Sequence, residues 1–151
     1  MIEASATATL PVPAEQAFAV VSDISNADWL PAVRGVRHIG GPEGGVGARF
    51  EVEAGMVGRH LRGVLLVKEV DEPRRLVLVL EEGLDLTVTV ELTPARAGCE
   101  LRVEARYSVG GAFGGAVERA SQPAARREVA RAVEQLAARF GREDPTPEPQ
   151  R

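Results

Sequence analysis

The stretch GGPEGGVGARFEVEA, residues 40–54, holds five glycines and a proline in its first eight positions and then changes character at Ala48. Glycines that cradle a phosphate lead from a strand into a helix, with a Lys-Ser/Thr or Gly-x-x-Gly continuation. Here Gly47 leads into ARFEVEA, whose alternation of apolar and polar residues is that of a strand. The run reads as the turn of a hairpin, its glycines supplying backbone angles that other residues avoid.

Outward from this turn the chain repeats the same grammar. Strand-like units fall at about residues 33–39, 48–54, 60–70, 75–82, 85–92 and 99–109, separated by GGPEGGVG, GMVG, DEP, EEGL and TPARAG. Such short connections join antiparallel neighbours, because a parallel crossover needs a dozen or more residues. IEASATATL at the start also alternates, with Ile2, Ala4, Ala6, Ala8 and Leu10 on one face. Between it and the turn, Pro13 opens a helix expected to Asp23, with Ala14, Ala17, Phe18 and Val21 at helical spacing. Ser25 or Asn26 is placed to cap a second short helix running through Trp29. Near the end, Val129, Ala132, Val133, Leu136 and Phe140 form one apolar stripe. Ser121 as cap, Pro123 in the first turn and Gly141 as stop give a helix of about 19 residues, roughly 29 Å long. Residues 1–141 are expected to form one domain, and REDPTPEPQR, residues 142–151, a disordered tail.

Composition narrows the function. A chain of 151 residues suits one domain that buries roughly 70% of its unfolded surface. With 44% apolar but only 4% aromatic residues, its interior is aliphatic. Net charge −4 and a pI near 5.3 give no basic footprint for nucleic acid. The single Cys99, the absence of a signal-like N-terminus and the lack of any long apolar run point to a cytoplasmic protein that does not insert in membranes. Lys68 is the only lysine, and the Ala, Arg, Gly and Val enrichment is that expected of a high-GC bacterial gene. His38, His60 and Cys99 lie on three different units with no ligand-like spacing, so neither a metal nor a cofactor is called for.

The order of strand, two short helices, six strands and one long helix resembles the START-like, Bet v 1-like (SRPBCC) superfamily, and within it the bacterial polyketide cyclase/dehydrase-like branch. The stretches LPVPAEQAFAVVSDISNADWLPAV, GGVGARFEV, VKEVDEPRRLVLVLEEG and AGCELRVEARYSV carry the likeness, which runs over about residues 2–140. The resemblance implies an α+β helix-grip fold, in which a curved antiparallel sheet of about seven strands wraps the long C-terminal helix and encloses a cavity. It also implies a range of activities, from lipid carriers and quinone-binding proteins to cyclases and dehydratases.

Alternation places Leu86, Val88, Val90, Leu92, Leu101, Val103, Ala105 and Tyr107 inward, with Thr87, Thr89, Glu91, Arg102, Glu104 and Arg106 outward. The expected cavity is lined by Trp29, Phe50, Leu65, Val67, Leu86, Val88, Val90, Val103, Tyr107 and Val133. On the strand of residues 60–70, Leu61, Gly63, Leu65, Val67 and, at its end, Glu69 alternate inward, leaving His60, Arg62, Val64, Leu66 and Lys68 outward; a bulge or one-residue slip reverses this. An outward Val64 and Leu66 make an apolar patch suited to a homodimer. The groups available for acid–base or oxyanion chemistry are Arg62, Lys68, Glu69 and Tyr107. Aromatase relatives carry a pocket arginine where this chain has Lys68 and Glu69, which argues against aromatase chemistry. Three readings stand: a binding or carrier protein for a small hydrophobic molecule such as a lipid, isoprenoid, quinone or polyketide-like compound; a cyclase or dehydratase using the same cavity; and a protein-interaction module using the sheet exterior.

Overall fold

The computed structural model describes residues 2–30, 33–56, 59–82, 85–108 and 114–143. Strand β1 (Ile2–Leu10) is followed by helix α1 (Ala14–Val21) and a single 3₁₀ turn, Ile24–Asn26. Six strands come next: β2 (Val33–Gly40), β3 (Arg49–Met56), β4 (Arg59–Asp71), β5 (Arg75–Glu82), β6 (Asp85–Ala95) and β7 (Gly98–Ser108). The chain then enters helix α2 (Gly114–Glu143). The strands form one curved antiparallel sheet in the order β1-β7-β6-β5-β4-β3-β2, with α2 against its inner face. This is the helix-grip architecture.

Sequence order and sheet order coincide except for β1, which crosses to pair with β7 through Ile2↔Tyr107, Ala6↔Val103 and Leu10↔Cys99. That pairing sets the inner face. Ile2, Ala4 and Leu10 are buried beside Leu101, Val103, Ala105 and Tyr107, and β6 continues the layer with Val90 and Leu92. Helix α2 lies mainly along β1 and β7 and buries Ala125, Val129, Ala132, Val133, Leu136 and Phe140 in the same cluster. Gln122 donates to the backbone carbonyl of Glu3 at 2.7 Å, fixing the helix at the sheet edge.

The glycine run joins β2 to β3 as expected. Gly41 and Gly47 have φ of 70° and 94°, and a Cβ at Gly41 would overlap the Gly47 carbonyl. The loop is also pinned to the sheet, because Gly47 donates its N–H to the Val67 carbonyl and Val67 donates to that of Ala48, both at 2.9 Å.

Three local expectations are corrected. The first helix ends at Val21 rather than Asp23, closed by Ser22 in a right-handed conformation whose N–H bonds the carbonyl of Phe18. The second helix is only three residues of 3₁₀; Ser25 lies inside it without capping it, and Trp29 falls in the turn beyond. Helix α2 has 30 residues, not about 19, and Pro123 sits in its interior. Proline marks a first turn because it lacks an N–H. Here the alanine, glutamate and arginine of the preceding AVERAS are good helix formers, and helix continues upstream to Gly114. Gly141 likewise stays helical, so the expected tail overlaps α2 at residues 142 and 143; its remainder lies outside the described residues.

Candidate functional site

The inner face divides into a sealed part and an open part. At the end where β1 finishes, Val90, Leu92, Leu101 and Cys99 are all but inaccessible, with Leu76 and Leu78 beside them. Towards the β5–β6 turn the same inward rows become half-buried: Leu80 on β5, then Leu86 and Val88 on β6. Register explains why these residues meet, since Leu80 pairs with Leu65, Leu78 with Val88 and Leu86 with Tyr107. The result is an aliphatic wall that keeps some access to solvent at one end.

The ten residues expected to line a cavity all lie in the hydrophobic core cluster or pack against it. Phe50, Leu65 and Val67 are buried on β3 and β4, Val90, Val103 and Tyr107 on β6 and β7, Val133 on α2, and Trp29 in the turn after the 3₁₀ segment; Leu86 and Val88 are the half-buried pair. His38 packs against Phe50 with ring centroids 5.2 Å apart, and its Nε2 lies within 3.0 Å of the Gly41 carbonyl, to which it donates when protonated there.

The four groups considered for catalysis are not brought together. Tyr107 alone is on the inner face, where its residue is 2% exposed. Arg62 is outside and bonds Glu53 at 3.3 Å. Lys68 and Glu69 are both exposed. Glu69 was expected at an inward position, and the reason it is not there is a register shift between Val67 and Glu69 where β4 pairs with β5. The extra residue turns both side chains to the outside, and Glu69 joins Arg75 at 3.1 Å. The inner face also holds the Cys99 thiol, which burial pushes up from its usual pKa, with nearby Glu15 adding to the effect. A thiol so placed is held neutral and is a poor nucleophile. Among the described residues, no group of three or more His, Cys, Asp or Glu side chains is placed to hold a metal ion.

The outer face has a different chemistry. Arg75 bonds Glu91 at 2.8 Å, Arg102 bonds Glu104 at 3.2 Å and Arg106 meets Glu3 at 3.1 Å. These arginines and the Glu91 and Glu104 carboxylates, with Lys68, Asp85, Thr87 and Thr89, border an open depression of about 550 Å³ whose floor includes buried Val77. Further along the sheet, Arg49 makes a two-pronged contact with Glu81 at 2.8 and 3.2 Å. That hydrogen bond holds the Glu81 carboxyl below its usual range and raises the guanidinium correspondingly. Between the charged groups lies an apolar strip. Val64 and Leu66 point outward and are half-buried, and Val79, which pairs with Leu66, continues the strip to Val77.

A second cleft, of about 290 Å³, opens between the Asp28–Trp29 turn and the C-terminal part of α2, lined by Asp28, Trp29, Gln135, Ala138 and Arg139. The sequence marked Trp29 but not its neighbours. Arg139 is 111 positions from Asp28, yet the two bond at 3.0 Å, and no periodicity in the sequence announces that contact.

Comparison with known proteins agrees with this geometry. Over residues 1–141 the chain matches the family described as polyketide cyclase / dehydrase and lipid transport. No curated protein sequence matches it. Among solved structures, a protein of Thermus thermophilus is 20% identical, covering 94% of this chain and 99% of its own, with a TM-score of 0.79. A START superfamily protein of Mycobacterium smegmatis is 15% identical, with coverages of 93% and 98% and a TM-score of 0.75. The di-domain ARO/CYC protein BexL of the BE-7585A biosynthetic pathway is 20% identical over 90% of this chain and 46% of its own, with a TM-score of 0.66. At such identities the structural matches establish fold alone, and the match over residues 1–141 establishes the family: the chain belongs to the polyketide cyclase / dehydrase and lipid transport family.

Proposed function

We propose that the protein binds a small, predominantly apolar molecule between α2 and the inner face of the sheet, as a carrier or binding protein. The observation that carries this reading is the half-exposure of the large aliphatic side chains Leu80, Leu86 and Val88, on neighbouring strands of a face where Leu76, Leu78, Val90, Leu92, Leu101 and Val103 are buried. Inward aliphatic side chains that retain access to solvent are the wall of a site, and a ligand laid on them gains about 25 cal/mol for each Å² of apolar surface removed from water, before binding costs. Ligands of this kind include fatty acyl chains, isoprenoids, quinones and polyketide-like compounds.

Binding is favoured over cyclisation or dehydration because turnover needs a positioned acid, base or oxyanion donor next to the ligand. Of the candidates only Tyr107 lies inside, while Arg62, Lys68 and Glu69 stand on the outer face. The reading is of a cytoplasmic protein. Native mass spectrometry of the purified protein, followed by extraction and identification of what it carries, tests it: an unmodified apolar molecule released stoichiometrically supports a carrier. Recovery of a chemically altered product from a supplied polyketide-like substrate supports the enzyme instead.

The strip of Val64, Leu66, Val77 and Val79 favours a second, separate reading for the outer face, a seat for another copy of the chain. Oppositely charged groups border it on the β6–β7 side, so two copies related by a two-fold axis can match charge to charge.

A further inference from the structure

Trp29 is 2% exposed, and its Nε1–H is buried without a hydrogen-bond partner among the described residues. Indole nitrogen is a donor only, and leaving a buried donor unmet costs about 1–3 kcal/mol. Three features surround it. The ring lines the cleft of about 290 Å³ between the Asp28–Trp29 turn and α2. Arg139 brings a guanidinium to the same cleft, and Gln135 an amide. Among the described residues lining the cleft the acidic one is Asp28, which bonds Arg139 Nη1 through Oδ1 at 3.0 Å although its side chain is 76% exposed.

We infer that this cleft is a binding site for a small carboxylate, distinct from the inner aliphatic wall. A carboxylate is acceptor-only and planar, which suits both an indole N–H and a guanidinium. Asp28 occupies the place on Arg139 that a ligand carboxylate takes. Because the Asp28 side chain is largely solvated, the pair sits near the range of surface ion pairs, about 0–1 kcal/mol, so an incoming acid displaces it at small cost. The displacement matters sterically as well. Trp29 Nε1 is out of contact with solvent, so the turn that Asp28 holds to α2 must shift before a ligand oxygen meets it. The exchange then gives the orphan indole donor an acceptor, while Arg139 trades one carboxylate for another. The volume suits a short acid or the head of a longer one. This inference is independent of the ligand proposed for the inner face.

Trp29 is the sole tryptophan, so its indole N–H gives one resonance in a ¹⁵N-correlated NMR spectrum. The full chain is titrated with sodium benzoate, sodium decanoate and, as an uncharged control, benzyl alcohol. The expected result is a saturable downfield shift of the indole proton with a carboxylate and none with the alcohol. Response to benzoate identifies a free small acid as sufficient; response to decanoate alone supports the cleft if it is unchanged in Val88→Trp and overturns the inference if that substitution on the inner wall abolishes it. Arg139→Gln should weaken the response about tenfold, the loss of one charge-assisted hydrogen bond. Asp28→Asn, at an exposed position that tolerates change, should instead tighten it about threefold by removing a carboxylate that competes for Arg139. No shift with either acid, equal shifts with benzyl alcohol, or weaker binding in Asp28→Asn overturns the inference, and the last of these remains decisive if Arg139→Gln does not fold.

Discussion

The two faces of the sheet are made from the same strands, in strict alternation, and do opposite things. On β7 the inward Leu101, Val103, Ala105 and Tyr107 are buried in one aliphatic cluster, while the interleaved Glu100, Arg102, Glu104 and Arg106 face out, with Arg102, Glu104 and Arg106 in ion pairs. The inner face holds the fold together and, where it opens at Leu86 and Val88, offers a ligand a wall. The outer face is a solvated lattice of charge around a short apolar strip. Apolar burial is thus concentrated on one side of the sheet, the side on which ligand binding is proposed.

The largest effect expected is from removing the cover of the inner face. A chain ending at Pro123 lacks Val129, Ala132, Val133, Leu136 and Phe140, all buried in the core, and should lose its cooperative unfolding transition in urea. A sharp transition surviving that truncation would mean that the sheet does not depend on α2. Next in size is a pair of neighbours on β7. Leu101→Ala, at a fully buried inward position, should cost about 2–5 kcal/mol, whereas Arg102→Ala on the opposite face should cost less than about 1 kcal/mol, since its partners Glu104 and Glu91 are both part-exposed. Equal losses would erase the distinction between the faces.

The outer strip gives a smaller, different effect. If a second copy sits on it, Val64→Glu combined with Leu66→Glu should convert a dimer into a folded monomer in sedimentation velocity. A monomeric parent would remove that reading, and an unfolded double variant would mean that the strip supports the fold rather than a partner. Smallest of all is the Arg49–Glu81 contact. Because the hydrogen bond lowers the Glu81 pKa in the folded chain, its contribution is present above the ordinary carboxylate pKa and is lost as pH falls through the lowered value. Glu81→Gln should therefore be slightly less stable than the parent at neutral pH and indistinguishable from it in strong acid, by urea unfolding at the two conditions.

Much of this was legible in the chain itself. Period-two alternation in IEASATATL, DLTVTVEL and CELRVEARY assigned both faces correctly because each strand has one buried side, and a single slip would invert every residue. The glycine turn was readable because Gly47 leads into a strand rather than a helix. Three things were not. The bulge after Val67 moved Glu69 outward, and such a register shift depends on what β5 offers as a partner. Pro123 looked like a helix start because its local chemistry is the same at a first turn as in an interior that bears the loss of one hydrogen bond. The Asp28–Arg139 pair and the cleft beside Trp29 depend on where a turn and a distant helix meet in space, which no local pattern encodes.

The central claim, that the inner aliphatic wall receives an apolar ligand, is tested most directly by isothermal titration calorimetry of the parent and of Val88→Trp with a panel of medium-chain fatty acids, isoprenoid alcohols and fused-ring phenols. Val88 is a half-buried wall residue, and the larger side chain should fill the space above it. The account predicts saturable binding of at least one class by the parent, with a negative heat-capacity change from apolar burial, and its loss in a Val88→Trp variant that remains folded. Absence of binding across the panel, or binding unchanged by Val88→Trp, would contradict it.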